Sequence, residues 1–196
     1  MSNARIPQTD ITGIYGAVVK RFSKKQLGSV PESVGVMWQN LPVLRAMFSL
    51  GAKTKRWDAC DPSLKSFAHM AVAARVGCSF CLDYGYFEAH NQRLDLAKAR
   101  EVPQWRESQL FTPLERDVLE YAEAATQTPS AVTDELSARL LAALGAPALL
   151  ELAAFIGFAN MTARTNTALG IEAEGLAASC DLRPLAEPSR AVLSTT

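Results

Sequence analysis

Two cysteines with the spacing of a redox pair stand at the junction of two helical segments. Cys78 and Cys81 lie in a Gly-Cys-Ser-Phe-Cys run. This spacing places two thiols about one helical turn apart, close enough to cycle between a dithiol and a disulfide. If Cys78 begins a helix, the positive end of the helix dipole also stabilises its thiolate. Thiol redox chemistry is therefore the leading interpretation, and it requires neighbouring sulfur atoms that solvent or a partner can reach.

Two other interpretations of the cysteine pair stay open. A structural zinc site normally needs a second Cys/His pair at similar spacing. Cys60 and Cys180 are isolated and the two histidines of the chain do not form such a pair, so no metal site is expected. The pair can also be two small fillers between packed helices, because free cysteine is often buried.

The length and composition indicate one domain, or one domain with long arms. The chain has 196 residues, 48% of them hydrophobic, and a formal net charge of zero. This balance implies neither a nucleic-acid surface nor a polybasic membrane patch. We expect no apolar stretch that approaches the roughly 20 residues that a bilayer needs. Residues 1–10 lack the pattern of a signal peptide. We therefore expect a cytoplasmic protein with no nucleic-acid or membrane partner.

Helical signals dominate, and apolar/polar alternation typical of strands is absent. Proline and glycine fall between the helical patterns, and Asp61, Thr112 and Thr133 are good N-terminal caps. The sequence predicts one helix that ends at Gly28, a short one that begins at Pro31, and a third that runs from Pro42 and stops at Gly51. Two more are predicted from Leu64 to Val76 and from Cys78 towards Ala99, the latter with a break near Gly85 or Asn91 and followed by a loop at Pro103. The last three begin at Pro113, run from Thr133 to Gly145, and run from Pro147 to about Gly170.

Two motifs resemble those of a known family. The first is the arrangement of helix, glycine, Cys-x-x-Cys and helix from Ala68 to Tyr86. The second is Phe111-Thr-Pro-Leu-Glu-Arg-Asp followed by the segment 149–170, which carries Asn160, Arg164 and Asn166 ahead of Leu169-Gly170. Together they resemble the carboxymuconolactone decarboxylase superfamily, and within it the alkylhydroperoxidase AhpD-like branch.

This resemblance implies a fold and a chemistry. It implies an all-α helical bundle that forms a homo-oligomer, a trimer or a hexamer. The chain 1–196 would be a single AhpD-like domain with a family core at about 62–170, an N-terminal helical extension at 1–61 and a C-terminal arm at 181–196. The resemblance also implies a small peroxide or disulfide substrate, an external dithiol electron donor, and no cofactor besides a redox-active Cys78–Cys81 disulfide.

The proton relay of the AhpD pattern is missing. The family has a glutamate twelve residues before the first cysteine and a histidine four residues after the second. Ser66 and Gly85 hold these positions here, and Phe80 replaces a further histidine found between the cysteines in some members. The resemblance therefore implies that any peroxidase activity is weak.

Five residues are candidates for relay or substrate contacts. His69 lies one turn after Ser66 on the same helix face, and Tyr84 shares the face of Cys81. Asn160 and Arg164 are spaced i, i+4 within an apolar segment. Each has a structural alternative: His69 and Tyr84 as packing residues, and Asn160 with Arg164 as a hydrogen-bond network or subunit contact.

The order of the two cysteines and the function stay open. The family analogy makes Cys81 the attacking thiol and Cys78 the resolving one, whereas the helix dipole favours a thiolate at Cys78. The leading function is a thiol oxidoreductase that reduces hydroperoxides or exchanges disulfides. The alternatives are a decarboxylase or lactonase acting on a small carboxylated substrate, and a non-catalytic oligomer that binds a ligand.

Overall fold

The computed structural model describes residues 3–187 and shows a bundle of helices with no β-strand in that range. The all-α fold predicted from the sequence is confirmed. The helices are α1 Gly13–Leu27, α2 Glu32–Met37, α3 Leu41–Thr54, α4 Pro62–Val76, α5 Ser79–Asn91, α6 Leu96–Glu101, α7 Pro113–Thr126 and α8 Asp134–Leu169, with 3₁₀ turns at Val102–Gln104 and Ala178–Cys180.

The core surrounds α4, which packs against α5, α7 and α8. Its alanine-rich sequence lets neighbouring helices approach closely, while Phe67 and Met70 fill the space between them, both fully buried. The Asp61 carboxylate caps the first turn by accepting from Ser63 N at 2.7 Å. Gly77 ends the helix with a left-handed conformation at φ 77°, which favours glycine.

One predicted helix end needs correction, and two other expectations become more specific. α3 continues through Gly51 to Thr54, because a helical glycine weakens a helix without ending it. α5 ends at Asn91, one of the two breaks considered, and a separate helix α6 begins after the Asp95 cap. The loop expected at Pro103 is a 3₁₀ turn.

α8 joins the two C-terminal helices predicted from the sequence. They meet at Gly145, whose φ of 77° and ψ of 164° are not helical. The expectation of no apolar stretch near the length of a membrane span was wrong. Among the described residues α8 is the helix long and apolar enough to cross a bilayer, and an 18-residue window within it has a mean hydropathy of 1.9. This is weak evidence for a span, since core helices of soluble proteins share these properties. Of its apolar window only 22% is buried within the chain.

The N-terminal extension has its own small apolar cluster. Val19, Val34, Trp38 and Leu44 pack together between α1, α2 and α3. The opposite face of α1 is apolar but uncovered, because Ile14, Val18 and Phe22 point away from this cluster. The exposure of these three side chains appears only in the structure.

A buried ion pair connects two helices of the bundle, and the C-terminal segment packs on its surface. Lys65 Nζ lies 2.6 Å from Glu151 Oε1 between α4 and α8, with both side chains largely buried. Of the predicted C-terminal arm, residues 181–187 pack on α6, where Ala186 N donates to Arg100 O at 3.0 Å. Residues 188–196 lie outside the described residues.

Candidate redox site

The turn between α4 and α5 brings the two cysteines together. Cys78 is the N-terminal cap of α5, and its sulfur accepts a hydrogen bond from Cys81 N at 3.2 Å. The two thiols are therefore adjacent, as their spacing in the sequence predicts. Both are free and deeply buried, with exposed fractions of 2% for Cys78 and 4% for Cys81.

The hydrogen bonds favour a thiolate on Cys78. The Cys81 thiol donates to the Cys78 sulfur and, with Cys81 N–H, lowers the pKa of Cys78 to about 7 against the opposing effect of burial. The same donated hydrogen bond, together with burial, raises the pKa of Cys81 above its ordinary value. The two thiols titrate as a pair in which the anion resides on Cys78. This distribution agrees with the helix-dipole argument rather than with the family analogy.

The C-terminal turn of α8 completes the surroundings of the sulfur atoms. Asn166 Nδ2 donates to Cys81 Sγ at 3.4 Å. Hydrogen bonds from the Thr167 and Asn166 side chains also help to lower the pKa of Cys78. Sequence reasoning assigned no role to either residue, although Asn166 was part of the motif that carried the resemblance. Only the packing of α8 against α5 reveals these contacts.

A strap formed by residues 171–177 crosses the beginning of α5. Ala173 N donates to Ser79 Oγ at 3.1 Å, next to Cys78. Further on, Leu176 N and Ala177 N donate to the two carboxylate oxygens of Asp83 at 2.8 and 2.9 Å. Because both cysteines are almost fully buried, the requirement that solvent or a partner reach the sulfur atoms is not met in this conformation.

His69 lies beside the position where the family histidine is missing. A Cβ atom added to Gly85 would lie 3.1 Å from His69 Nδ1 and 2.8 Å from Met70 Cγ, so a side chain at position 85 has no room. Burial lowers the pKa of His69 to about 4, although nearby Glu88 opposes this effect. The imidazole is therefore neutral at pH 7, and it packs edge-on against the Tyr84 ring.

Tyr84 faces a charged pair rather than the sulfur atoms. Its hydroxyl lies 3.5 Å from Lys55 Nζ, which also pairs with Glu88 at 3.0 Å. Burial raises the pKa of Tyr84. Its ring stacks on Phe80, with ring centroids 6.3 Å apart. These contacts match the packing alternative for Tyr84.

The remaining predicted residues lie elsewhere on α4 and α8. Asn160 Nδ2 donates to Thr126 Oγ1 at 3.0 Å, and Arg164 donates to Thr126 O at 2.6 Å. Both therefore tie α8 to the end of α7, which is the structural alternative considered for them. Ser66 is half-buried one turn before His69.

The described residues form no metal cluster, and the surface cavity next to α6 lies away from the cysteines. Within residues 3–187, no three His, Cys, Asp or Glu side chains are placed to hold a metal ion. A surface cavity of about 440 Å³ is lined by Tyr86, Arg100 and Arg183, among others, and by neither Cys78 nor Cys81. The hydrogen-bonded sulfur pair, not this cavity, is the candidate site.

Comparison with known proteins agrees with this architecture. The model of the carboxymuconolactone decarboxylase family matches residues 42–124. A protein of Escherichia coli named YnjA, whose function is unknown, is 38% identical over 141 residues, which cover 71% of this chain and 78% of YnjA. The chain belongs to the carboxymuconolactone decarboxylase family. The family membership predicted from the two motifs is thus confirmed.

Solved structures share the fold at low identity. The debrominase Bmp8 in complex with 2,3,4-tribromopyrrole has a TM-score of 0.76 at 20% identity, covering 91% of this chain and 98% of Bmp8. A peroxidase-related protein of Ralstonia eutropha with an alkylhydroperoxidase AhpD core has a TM-score of 0.74 at 14% identity, covering 89% of this chain and 94% of that protein. The AhpD-like fold of this family member therefore extends over nearly the whole chain.

Proposed function

We propose that this family member is a thiol oxidoreductase in which Cys78 attacks and Cys81 resolves. The observation that carries the proposal is the pair of hydrogen bonds from Cys81, which favour the thiolate of Cys78 near neutral pH. Since the thiolate is the reactive form, a low thiol pKa at the N-terminus of a helix is typical of redox cysteines.

The reaction with a hydroperoxide proceeds in two steps. The Cys78 thiolate attacks the terminal oxygen, so that an S–O bond forms, the O–O bond breaks, and the departing alkoxide takes a proton from water. Cys81 sulfur then attacks the sulfenic acid, so that the S–S bond forms and hydroxide leaves with the Cys81 proton as water. An external dithiol reduces the disulfide, and the same pair can exchange with a disulfide substrate.

The proposal includes a way for a substrate to reach the Cys78 sulfur. Because both cysteines are almost fully buried, a substrate can reach Cys78 only after a change of conformation, and we propose that the strap 171–177, which is bonded to Ser79 next to Cys78, is the part that moves. We include in the proposal a cytoplasmic homo-oligomer, in which other subunits cover apolar surface on α1 and α8. The neutral His69, with its low pKa, is a poor base at pH 7, which supports slow rather than fast peroxidase turnover.

Burial also favours a second candidate, a non-catalytic oligomer with inert cysteines. Free cysteines in packed interiors are commonly structural. The two candidates differ in one measurable property: an oxidoreductase forms a reversible Cys78–Cys81 disulfide, and an inert pair does not.

Cysteine variants distinguish these functions. The wild type should consume hydroperoxide or a disulfide in the presence of a dithiol and form an internal disulfide in its absence, as seen by mass spectrometry. Cys78→Ser and Cys81→Ser should each abolish both the consumption of oxidant and the formation of the internal disulfide. Cys180→Ser, which alters a thiol outside the site, is the matched control and should behave as the wild type. Unchanged turnover in both site variants, or no internal disulfide in the wild type, contradicts the proposal.

A further inference from the structure

One polar atom at the sulfur pair has no hydrogen-bond partner. Asn166 is 5% exposed, and its Nδ2 donates to Cys81 Sγ. Its Oδ1 is the one buried side-chain oxygen or nitrogen without a partner among residues 3–187. Buried polar atoms are nearly always hydrogen-bonded, so an unpaired one at a reactive site needs an explanation. Turning the amide over would leave a donor unpaired instead of an acceptor.

Hydrogen bonds fix the backbone that carries this side chain. Asn166 lies in the last turn of α8, where its carbonyl accepts from Ile171 N and the Thr167 carbonyl accepts from Gly170 N. This pair of hydrogen bonds is a Schellman motif, and it requires the left-handed conformation of Gly170 at φ 69°. The backbone position of Asn166 is therefore fixed, and its side chain is oriented by the hydrogen bond from Nδ2 to Cys81 Sγ.

The unpaired atom lies near both sulfur atoms. The Asn166 amide donates to Cys81 Sγ and also hydrogen-bonds with Cys78, so its oxygen belongs to a group that contacts both thiols. Neither thiol donates a hydrogen bond to the Asn166 oxygen, because the Cys81 proton is directed to Cys78 and the Cys78 thiolate has no proton to donate. What fits a lone acceptor next to a thiolate is an incoming hydroxyl group.

We propose that Asn166 Oδ1 accepts the hydroxyl of a hydroperoxide and then of the resulting sulfenic acid, which makes the site selective for hydroperoxides over disulfides. This inference rests on the proposed thiol function. The O–H of the hydroperoxide donates to Oδ1 while Cys78 attacks the oxygen that carries it. The S–O bond forms, the O–O bond breaks, and the alkoxide takes a proton from water. The same hydroxyl stays bonded to Asn166 until Cys81 displaces it as water. A disulfide has no hydroxyl to donate and gains nothing from Oδ1.

The test compares two oxidants on the reduced full-length protein. Rates of oxidation by cumene hydroperoxide and by glutathione disulfide are measured by trapping the remaining thiols, at a pH where Cys78 is ionised. Asn166→Leu removes the acceptor at similar volume, and Asn166→Ala removes it in a smaller side chain. Asn166→Asp keeps an acceptor and loses the donor. Thr162→Val is the control, because the Thr162 hydroxyl bonds only within α8.

The ratio of the two rates decides the outcome. Asn166→Leu and Asn166→Ala should slow the hydroperoxide reaction about tenfold, the effect of one net hydrogen bond. The disulfide reaction should change less than about threefold, and Asn166→Asp and Thr162→Val should keep the wild-type ratio. Equal loss with both oxidants, or no loss with either, overturns the inference and leaves the proposed function standing. A wild type that reacts with neither oxidant overturns both.

Discussion

Removing the Cys81 thiol while keeping its backbone should raise the pKa of Cys78. The Cys81 side chain is the largest of the contributions that lower this pKa, and the Cys81 N–H is a separate one. Cys81→Ala deletes the side-chain donor, whereas Cys81→Ser replaces it with a hydroxyl that can still donate. Both variants keep the backbone hydrogen bond, so the comparison between them isolates the side chain.

The magnitude follows from the ionisation of Cys78. A pKa of about 7 means that roughly half of Cys78 is thiolate at pH 7, compared with about 3% for an ordinary thiol of pKa near 8.5. The native surroundings therefore favour the anion by about 2 kcal/mol. If the Cys81 donor supplies about half of this, the pKa in Cys81→Ala rises to about 8 and the thiolate fraction at pH 7 falls to roughly a tenth. Cys81→Ser should stay within about half a pH unit of the wild type.

The ultraviolet absorbance of the thiolate, followed against pH, measures this change without requiring a reagent to enter the buried site. Cys60 and Cys180 are present in both variants, and their contributions cancel in the difference. Burial raises the pKa of Cys60 to about 11, so it titrates well after Cys78. Equal pKa values in Cys81→Ala and Cys81→Ser would refute the role given to the Cys81 side chain, and a Cys78 that ionises only above pH 9 in the wild type would refute the thiolate assignment itself.

Two further predictions concern the packing around the site. Gly85→Ala should destabilise the fold by about 1–3 kcal/mol, because overpacking against α4 outweighs the helix propensity of alanine; Gly157→Ala, with nothing within 4 Å of its new Cβ, should instead stabilise by about 0.5–1 kcal/mol in the same urea titration. A Gly85→Ala protein as stable as the wild type would contradict this geometry. Lys65→Met should cost about 3–5 kcal/mol because it leaves the Glu151 carboxylate buried without its cation. Adding Glu151→Leu should restore most of the loss in thermal unfolding; a double variant no more stable than Lys65→Met would argue against a desolvated pair.

The local features of this chain could be predicted because their causes are local. Caps such as Asp61 and Thr112, and the left-handed Gly77, act on backbone groups within one turn of themselves. The three-residue spacing of Cys78 and Cys81 likewise guarantees that the thiols are neighbours once α5 begins between them. Family membership followed from the same short motifs. The errors arose where a local signal was weak, as at Gly51, which continues a helix that it was expected to end.

The environment of the sulfur atoms was decided by tertiary packing. Asn166 is 85 residues from Cys81 in sequence, and only the docking of α8 on α5 brings its amide to the thiol. The room for His69 beside Gly85 depends on how closely α4 and α5 approach. The burial of both thiols depends on the core that the surrounding helices form. Spacing within one helix specifies which groups are adjacent along it, because the helix repeat is constant. It does not specify which distant groups exclude water from them, since that depends on the packing of whole elements.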